Sequence, residues 1–324
     1  MTQSVAQMPR ATVPASERAR SGEASADEQT SVAFIADRRH VADPAMNGAH
    51  AALIDAGCRV ELLVPDADRL FEIPASAPPW HVVLSRGRDL AGFGLLVAAA
   101  ARGVLAINTP RSIELVRNKI GMHAVLLDHG IPMPRTWFAA DPGTFRRLPV
   151  SRFPLVVKPF DGDGARGIFL LTKPGDVDLV GPRRRPRELW LAQERLQTDG
   201  WDLKLYGIGS RVWAVRKPSP VSLEEPGPAG MRRVDGAAVV ELDSELQDIA
   251  LTCGRACGLQ LWGVDVASTP SGPVVIEVND FPSYSAIPEA GDAIAQLITS
   301  LAAIDRVRQR SGLGHLDRLL REPR

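Results

Sequence analysis

The sequence predicts a mixed α/β and α+β chain of two domains or three small ones, and three observations predict it. Apolar strand-like runs alternate with helical patterns from residue 30 to 110, the β-α-β order that builds a parallel sheet. From Phe153 the period changes to strands joined by Gly-rich and Pro/Arg-rich loops. The length, 324 residues, also exceeds what one core usually serves, at roughly 100 to 200 residues per domain.

At 45% hydrophobic and 23% charged the chain can bury a substantial core. Lys plus Arg and Asp plus Glu both total 38, so no basic excess calls for nucleic acid or an anionic membrane as partner. The longest apolar stretch, Ala91 to Ala101, is stopped by Arg102, well short of the roughly 20 residues that span a bilayer. The N-terminus mixes Gln3, Arg10, Glu17 and Arg18 without an apolar core, unlike a secretory signal, and a cytoplasmic location is expected. Three cysteines, Cys58, Cys253 and Cys257, are too few for a disulfide framework; the last two stand at helical spacing and are expected on one buried face.

In chain order, residues 1–29 lack a hydrophobic period and are expected to be a disordered leader. Residues 30–112 form the first α/β unit: strands at Ser31–Ala36, Val60–Val64, Trp80–Leu84 and Val104–Ile107, with helices at Pro44–Ala56 and Leu90–Ala101. Ser112 to Gly130 reads as one helix, with Ile113, Val116, Ile120, Ala124 and Leu127 at helical spacing and Pro132 and Pro134 preventing continuation. Residues 113–196 make a second unit with strands Leu155–Lys158, Ile168–Thr172 and Leu189–Glu194. Residues 197–310 make a third: a hairpin of Leu203–Ile208 and Arg211–Val215, an aperiodic loop Pro218–Gly230, a helix Ser244–Gly258, a hairpin of Trp262–Ala267 and Pro273–Val278, and a helix Ala290–Ile304. A tail of residues 311–324 follows.

Two constellations carry chemistry. Gly162, Gly164 and Gly167 form a G-x-G-x-x-G, but the following Ile168–Thr172 is strand-like, which excludes a dinucleotide fingerprint, and no Gly-Lys-Ser/Thr closes a Walker loop. What remains is a β-loop-β flap whose backbone N–H groups can approach phosphate oxygens. Lys158 ends the apolar strand before it, where an anionic ligand such as a triphosphate would supply the missing counter-charge. In the second constellation Glu277 and Asn279, two residues apart in a strand, project from one face. If the Thr269–Pro273 turn has an odd number of loop residues, such as Pro270 to Gly272, Asp265 lies opposite Glu277; an even loop turns it away. Paired carboxylates on one face repel, and Mg²⁺ with phosphate relieves that repulsion.

Lys119, Lys158 before the glycine flap, Gln193-Glu194, Asp202, Asp265 and Glu277-x-Asn279 occur in the order and spacing of the ATP-grasp superfamily. The chain resembles its RimK/glutathione-synthetase type over roughly Ser31 to Ile304. The resemblance implies an N-terminal pre-ATP-grasp α/β domain and two α+β subdomains clasping a nucleotide. It implies ATP and Mg²⁺, with Mn²⁺ as a substitute. Lys119 and Lys158 would contact phosphates, Gln193, Glu194, Arg195 and Leu196 would form the adenine hinge, and Asp202 would approach the ribose. Asp265, Glu277 and Asn279 would hold the metal.

Ligases of that type phosphorylate a carboxylate and let an amine displace the phosphate, so small-molecule or peptide acids and amines are the implied partners. Lys204, Arg216 and Lys217 are the candidates for neutralising the transferred phosphoryl group. RimK itself carries Phe-Arg-Ser-Asn where this chain has Gly230-Met-Arg232-Arg233. Asp202-Leu-Lys204, Lys217-Pro-Ser219 and Asn279 to Tyr284, up to Pro288-Glu289, resemble the inositol-phosphate kinase branch instead, so a phosphotransferase using Arg183 to Arg185, Arg187, Arg232 and Arg233 is the alternative. A nucleotide-binding regulator is the third reading. Oligomeric state is left open.

Overall fold

The computed structural model describes residues 29–65, 69–162, 167–181, 188–219, 221–222, 225–231 and 236–311. The leader through residue 28, the tail from 312, Gly164, Arg183 to Arg185, Arg187, Arg232 and Arg233 lie outside the described residues.

The N-terminal unit follows the β-α-β reading: β1 (Ser31–Ala36), α1 (Pro44–Asp55), β2 (Arg59–Leu63), β3 (Val82–Arg86), α2 (Leu90–Ala101) and β4 (Leu105–Ile107). Its four strands pair in parallel in the order β2-β1-β3-β4. All six residues of β1 are buried because helices cover both sheet faces: Val32, Phe34 and Ala36 pack with α1, whereas Ala33 and Ile35 pack with α2. Asp43 and Asp89 cap α1 and α2, each accepting two backbone N–H groups of the first turn.

The single helix expected over Ser112 to Gly130 is two helices, α3 (Pro110–Arg117) and α4 (Lys119–Asp128). Asn118 leaves the helical region (φ −82°, ψ 89°) and its side chain accepts from Gly121 N–H, capping α4. The break rotates the second half. Met122 and Leu126 enter the core, while Leu127, expected there, is half exposed.

Next come β5 (Thr136–Ala139), β6 (Leu155–Pro159), β7 (Phe169–Leu171), β8 (Trp190–Glu194), β9 (Trp201–Ile208) and β10 (Arg211–Pro218). Three short pieces follow: β11 (Val221–Ser222), β12 (Gly227–Pro228) and β13 (Gly230–Met231). The chain then forms β14 (Ala238–Val240), α5 (Ser244–Ala256), β15 (Leu261–Thr269), β16 (Gly272–Asp280) and α6 (Ala290–Arg310). Two five-stranded antiparallel sheets result, a central one, β12-β7-β6-β8-β5, and a C-terminal one, β14-β10-β9-β15-β16, beside the two-stranded pair β11-β13. The loop read as aperiodic thus returns to the central sheet, Gly227 pairing Leu170, and ties the two units together.

Packing also draws the units differently from the sequence. Val116, Met122, Leu126 and Ile131 share one core with Leu203, Leu205, Trp262, Val264 and α5, so α4 covers the C-terminal sheet, not the central one. The opposite face of that sheet, with Tyr206, Ile208 and Val215, packs on α6, α1 and β1. Where α1 and α6 cross, a Cβ on Gly291 would fall 2.8 Å from the Gly48 backbone. Gly291→Ala is therefore expected to cost about 1–3 kcal/mol by overpacking, read as a lower denaturation midpoint.

All three cysteines are free and buried. Burial pushes the Cys253 thiol up to about 12 and Cys257 up to about 11. A thiol in that state is unreactive at neutral pH. The native protein should give no Ellman reaction at pH 8, and full reaction once unfolded. Among the described residues no helix is long and apolar enough to cross a membrane.

Candidate active site

The strand period places the expected groups on one face of the C-terminal sheet. Lys217 stands opposite Asp202, Lys204 opposite Asp265, and Asp265 opposite Glu277. The last pairing arises by a different route from the one expected. The β15–β16 turn is even, Thr269 pairing Gly272 around Pro270-Ser271, which by itself would turn Asp265 away from Glu277. A bulge between Asp265 and Val266 skips Ile276 and restores the parity, so that Val275 and Val278, three apart, both enter the core. The Val275 N–H donates to the Pro132 carbonyl.

Glu277 is the meeting point. Lys119, at the start of α4, and Lys158, at the end of β6, both reach it: Lys119 Nζ bonds Oε1, and Lys158 Nζ lies 3.7 Å from Oε2. The break at Asn118 is what aims Lys119, which is buried, into this position. Asp265 accepts from Lys204 Nζ at 3.0 Å and from Asn279 Nδ2 at 2.8 Å. Three ammonium groups, two carboxylates and an amide therefore meet around Glu277 and Asp265.

Burial, joined by the Lys119 charge, holds the Lys158 ammonium below the ordinary lysine range despite Glu277. Burial alone would lift the Glu277 carboxyl, but Lys158 and Lys119 together outweigh it and hold it low. Lys204 is raised: burial opposes its charge, and Asp265, Tyr206 and Glu277 overcome it. Burial raises Asp202.

The central sheet supplies the facing wall. Leu155, Val157, Trp190 and Ala192 pack into its core, so Val156, Lys158, Leu191 and Gln193 share the other face. That face is an apolar floor with an ammonium at one end and the Gln193 amide, bonded to Thr136 Oγ1 at 3.1 Å, at the other. Glu194 is paired with Arg152 at 3.3 Å, Arg195 is exposed and Leu196 half-buried beyond the strand end. Gly162 and Gly167 flank the flap; Gly167 takes φ 72°, a conformation only glycine adopts freely.

Arg216 departs from expectation. Adjacent strand residues point to opposite faces, so Arg216 cannot join Lys217 beside Lys204. It bonds Asp199 at 2.7 Å and stacks over Trp201 at 4.4 Å on the far face. Two groups escaped the sequence reading. His123 stands one turn after Lys119 on the same helical face, and burial and the Lys158 charge hold its imidazole below the ordinary histidine range. Asp280, next to Asn279, pairs with Arg117 at 2.9 Å, and Arg117 also donates to the Gly87 carbonyl at 2.6 Å. The i, i+4 spacing could have flagged the first; the second joins residues too distant in sequence for any local pattern.

Among the described residues no cluster of three or more His, Cys, Asp or Glu forms a metal site. The set on the C-terminal sheet is two carboxylates and an amide. All three offer hard oxygen donors from one face beside ammonium groups suited to phosphate, which fits Mg²⁺ carried by a nucleotide. The family description "RimK-like ATP-grasp domain" matches residues 116–301. The chain belongs to the RimK-like ATP-grasp family. It is 29% identical over 229 residues to a probable alpha-L-glutamate ligase of Shewanella loihica, covering 68% of this chain and 75% of the relative.

Among solved structures, D-cycloserine synthetase DcsG superposes with a TM-score of 0.67 at 16% identity, covering 84% of this chain and 99% of the other. The ATP-grasp ligase PsnB, complexed with a minimal precursor, Mg and ADP, superposes at 0.60 and 19% identity, covering 83% and 96%. The two-sheet arrangement is thus the ATP-grasp fold. The RimK-like region begins at residue 116, near the end of α3, and the parallel sheet precedes it.

Proposed function

We propose that the protein is an ATP-dependent carboxylate–amine ligase that forms an amide or peptide bond through an acyl phosphate. The observation that carries this is the convergence of Lys119 and Lys158 on Glu277, in register with Asp265. Phosphate-binding cations and metal-binding carboxylates from α4 and both sheets meet at one point. The RimK-like family and the named ligases among its relatives and structural neighbours support the same reaction.

In this reading the base of ATP lies on the Val156/Leu191 floor with Gln193 to Leu196 along its edge, and Asp202 faces the ribose. Gly162, Gly164 and Gly167 cover the phosphates. Lys119 and Lys158 exchange Glu277 for phosphate oxygens, freeing Glu277, Asp265 and Asn279 to hold Mg²⁺, for which Mn²⁺ can substitute. The metal, when bound, neutralises charge on the phosphates.

A carboxylate oxygen of the acid attacks the γ-phosphorus and the bond to ADP breaks. An amine nitrogen then attacks the acyl carbon, its proton passes to solvent, and phosphate leaves. Lys204 and Lys217 are placed to offset the negative charge of the transferred group, an electrostatic contribution that needs no covalent participation.

The substrates are small-molecule or peptide acids and amines; the name of the Shewanella relative makes L-glutamate the first amine to supply. A cytoplasmic setting belongs to the same reading, since ATP is available there and all three cysteines are free. The test supplies Mg-ATP with pooled acids and amines and follows ADP, free phosphate and product mass. Equal ADP and phosphate with a dehydration product supports ligation. A phosphorylated product without free phosphate identifies a kinase instead.

A further inference from the structure

The N-terminal sheet has a topological switch point of its own. β1 and β3 are adjacent and parallel, and the chain leaving each goes to opposite faces: β1 to α1, β3 to α2. Such a divergence opens a crevice beyond the carboxyl ends of the two strands, where open α/β sheets bind ligands. The segments that line it are Asp37 after β1 and Gly87 to Asp89 after β3.

These segments are built to a fixed shape. The Asp37 carboxylate accepts from the backbone N–H of Arg88 at 2.9 Å and of Asp89 at 3.2 Å. A side chain on Gly87 could not be accommodated: its Cβ would stand 2.1 Å from that carboxylate, and its φ is 131°. From the other side Arg117 donates to the Gly87 carbonyl while pairing with Asp280, so the loop is fastened to the strand that bears Glu277 and Asn279.

The Arg88 side chain is half-buried on this loop, and its charge acts on both Glu277 and Asp280. Yet among the described residues its guanidinium makes no hydrogen bond or ion pair; only its backbone is engaged. Arg86, two residues earlier, differs: it is buried against Asp43 at 2.8 Å and donates to the Pro282 carbonyl. A half-buried guanidinium on a loop fastened to the active-site strand, without an acceptor among the described residues, matches a planar anion that binds two N–H groups at once.

We propose that Arg88 binds a carboxylate of the substrate at the mouth of the active site. This rests on the ligase reading and assigns the substrate side of the cleft to the N-terminal sheet. Arg88 holds the carboxylate in place at the end of the strand that bears Glu277, and Asp37 is the positioning residue that sets its backbone.

Calorimetry on the full chain saturated with Mg-ADP tests this, with glutarate, an acid without an amine, and L-glutamate as probes. Wild type, Arg88→Gln and Arg88→Lys are compared, and Mg-ADP affinity is measured for each. The expected result is equal Mg-ADP affinity in all three, carboxylate binding about tenfold or more weaker in Arg88→Gln, and partial recovery in Arg88→Lys. Glutarate binding assigns Arg88 to the acid; binding of L-glutamate alone assigns it to the carboxylate of an amino-acid amine. Indistinguishable behaviour of wild type and Arg88→Gln toward both probes, including no binding to either, overturns the proposal. Absence of Mg-ADP binding throughout refutes the ligase reading itself and the Arg88 assignment with it.

Discussion

Replacing Glu277 by Gln should lower Mg²⁺-dependent ADP formation by on the order of 100- to 1000-fold, the loss typical when one preorganised charge contact is removed from a reacting centre. Glu277 is where the two lysines and the Asp265 register meet, so its neutral amide would weaken both the metal set and the charge balance. The half-saturating Mg²⁺ concentration should rise as well, because a carboxylate oxygen is a far better ligand for this ion than an amide. Gln keeps the shape of Glu but leaves the buried Lys119 and Lys158 ammonium groups without their shared counter-charge, so the denaturation midpoint of the nucleotide-free protein should fall as well. A steady-state assay across a Mg²⁺ titration reads both effects. Unchanged turnover would remove Glu277 from the machinery.

The largest expected loss of stability lies elsewhere. Arg86 and Asp43 are both almost fully buried, 3% and 7% exposed, and pair at 2.8 Å between β3 and the start of α1. Burial lowers the Arg86 guanidinium's affinity for its proton, with Asp43 opposing. Asp43 also caps α1 and accepts from Ser283 at 3.2 Å, joining the N-terminal sheet to the segment after β16.

Asp43→Ala leaves a buried guanidinium without its counter-charge and should cost about 3–5 kcal/mol. Asp43→Asn separates the two causes, since Asn caps helices as well as Asp does. If the ion pair dominates, Asn loses most of what Ala loses. Urea unfolding of both variants gives the comparison; a loss in Asp43→Ala below about 1 kcal/mol, the worth of a cap alone, would contradict the account.

Much of the fold was legible where a local period decides it. The β-α-β opening showed because apolar runs of strand length alternate with capped helices. Lys158 and Glu277-x-Asn279 showed because charge inside an apolar strand demands a partner, and because a two-residue spacing places side chains on one face. The break at Asn118 was hidden because the apolar spacing runs through it; the signal was the Asn itself, a strong cap one residue before Lys119. The bulge at Ile276 has no comparable signal. Its extra residue is compensated by an even turn, and two departures from the simple rule cancel to give the expected pairing.

The Arg216 expectation conflicted with the same period that located Glu277 and Asn279: consecutive residues of a strand cannot both face the cleft. The crevice of the N-terminal sheet was out of reach for another reason. Arg88, Asp37, Arg117 and Asp280 come together from four separate elements, and no spacing in the chain relates them.

The most direct test of the central claim follows oxygen. With an acid whose carboxylate is labelled with ¹⁸O, supplied with Mg-ATP and an amine, ligation through an acyl phosphate transfers one labelled oxygen from the carboxylate to the released phosphate. Mass spectrometry of that phosphate should show one ¹⁸O per turnover and an amide that has lost one label. Phosphate free of label, with the acid retaining both of its labelled oxygens, would contradict the account.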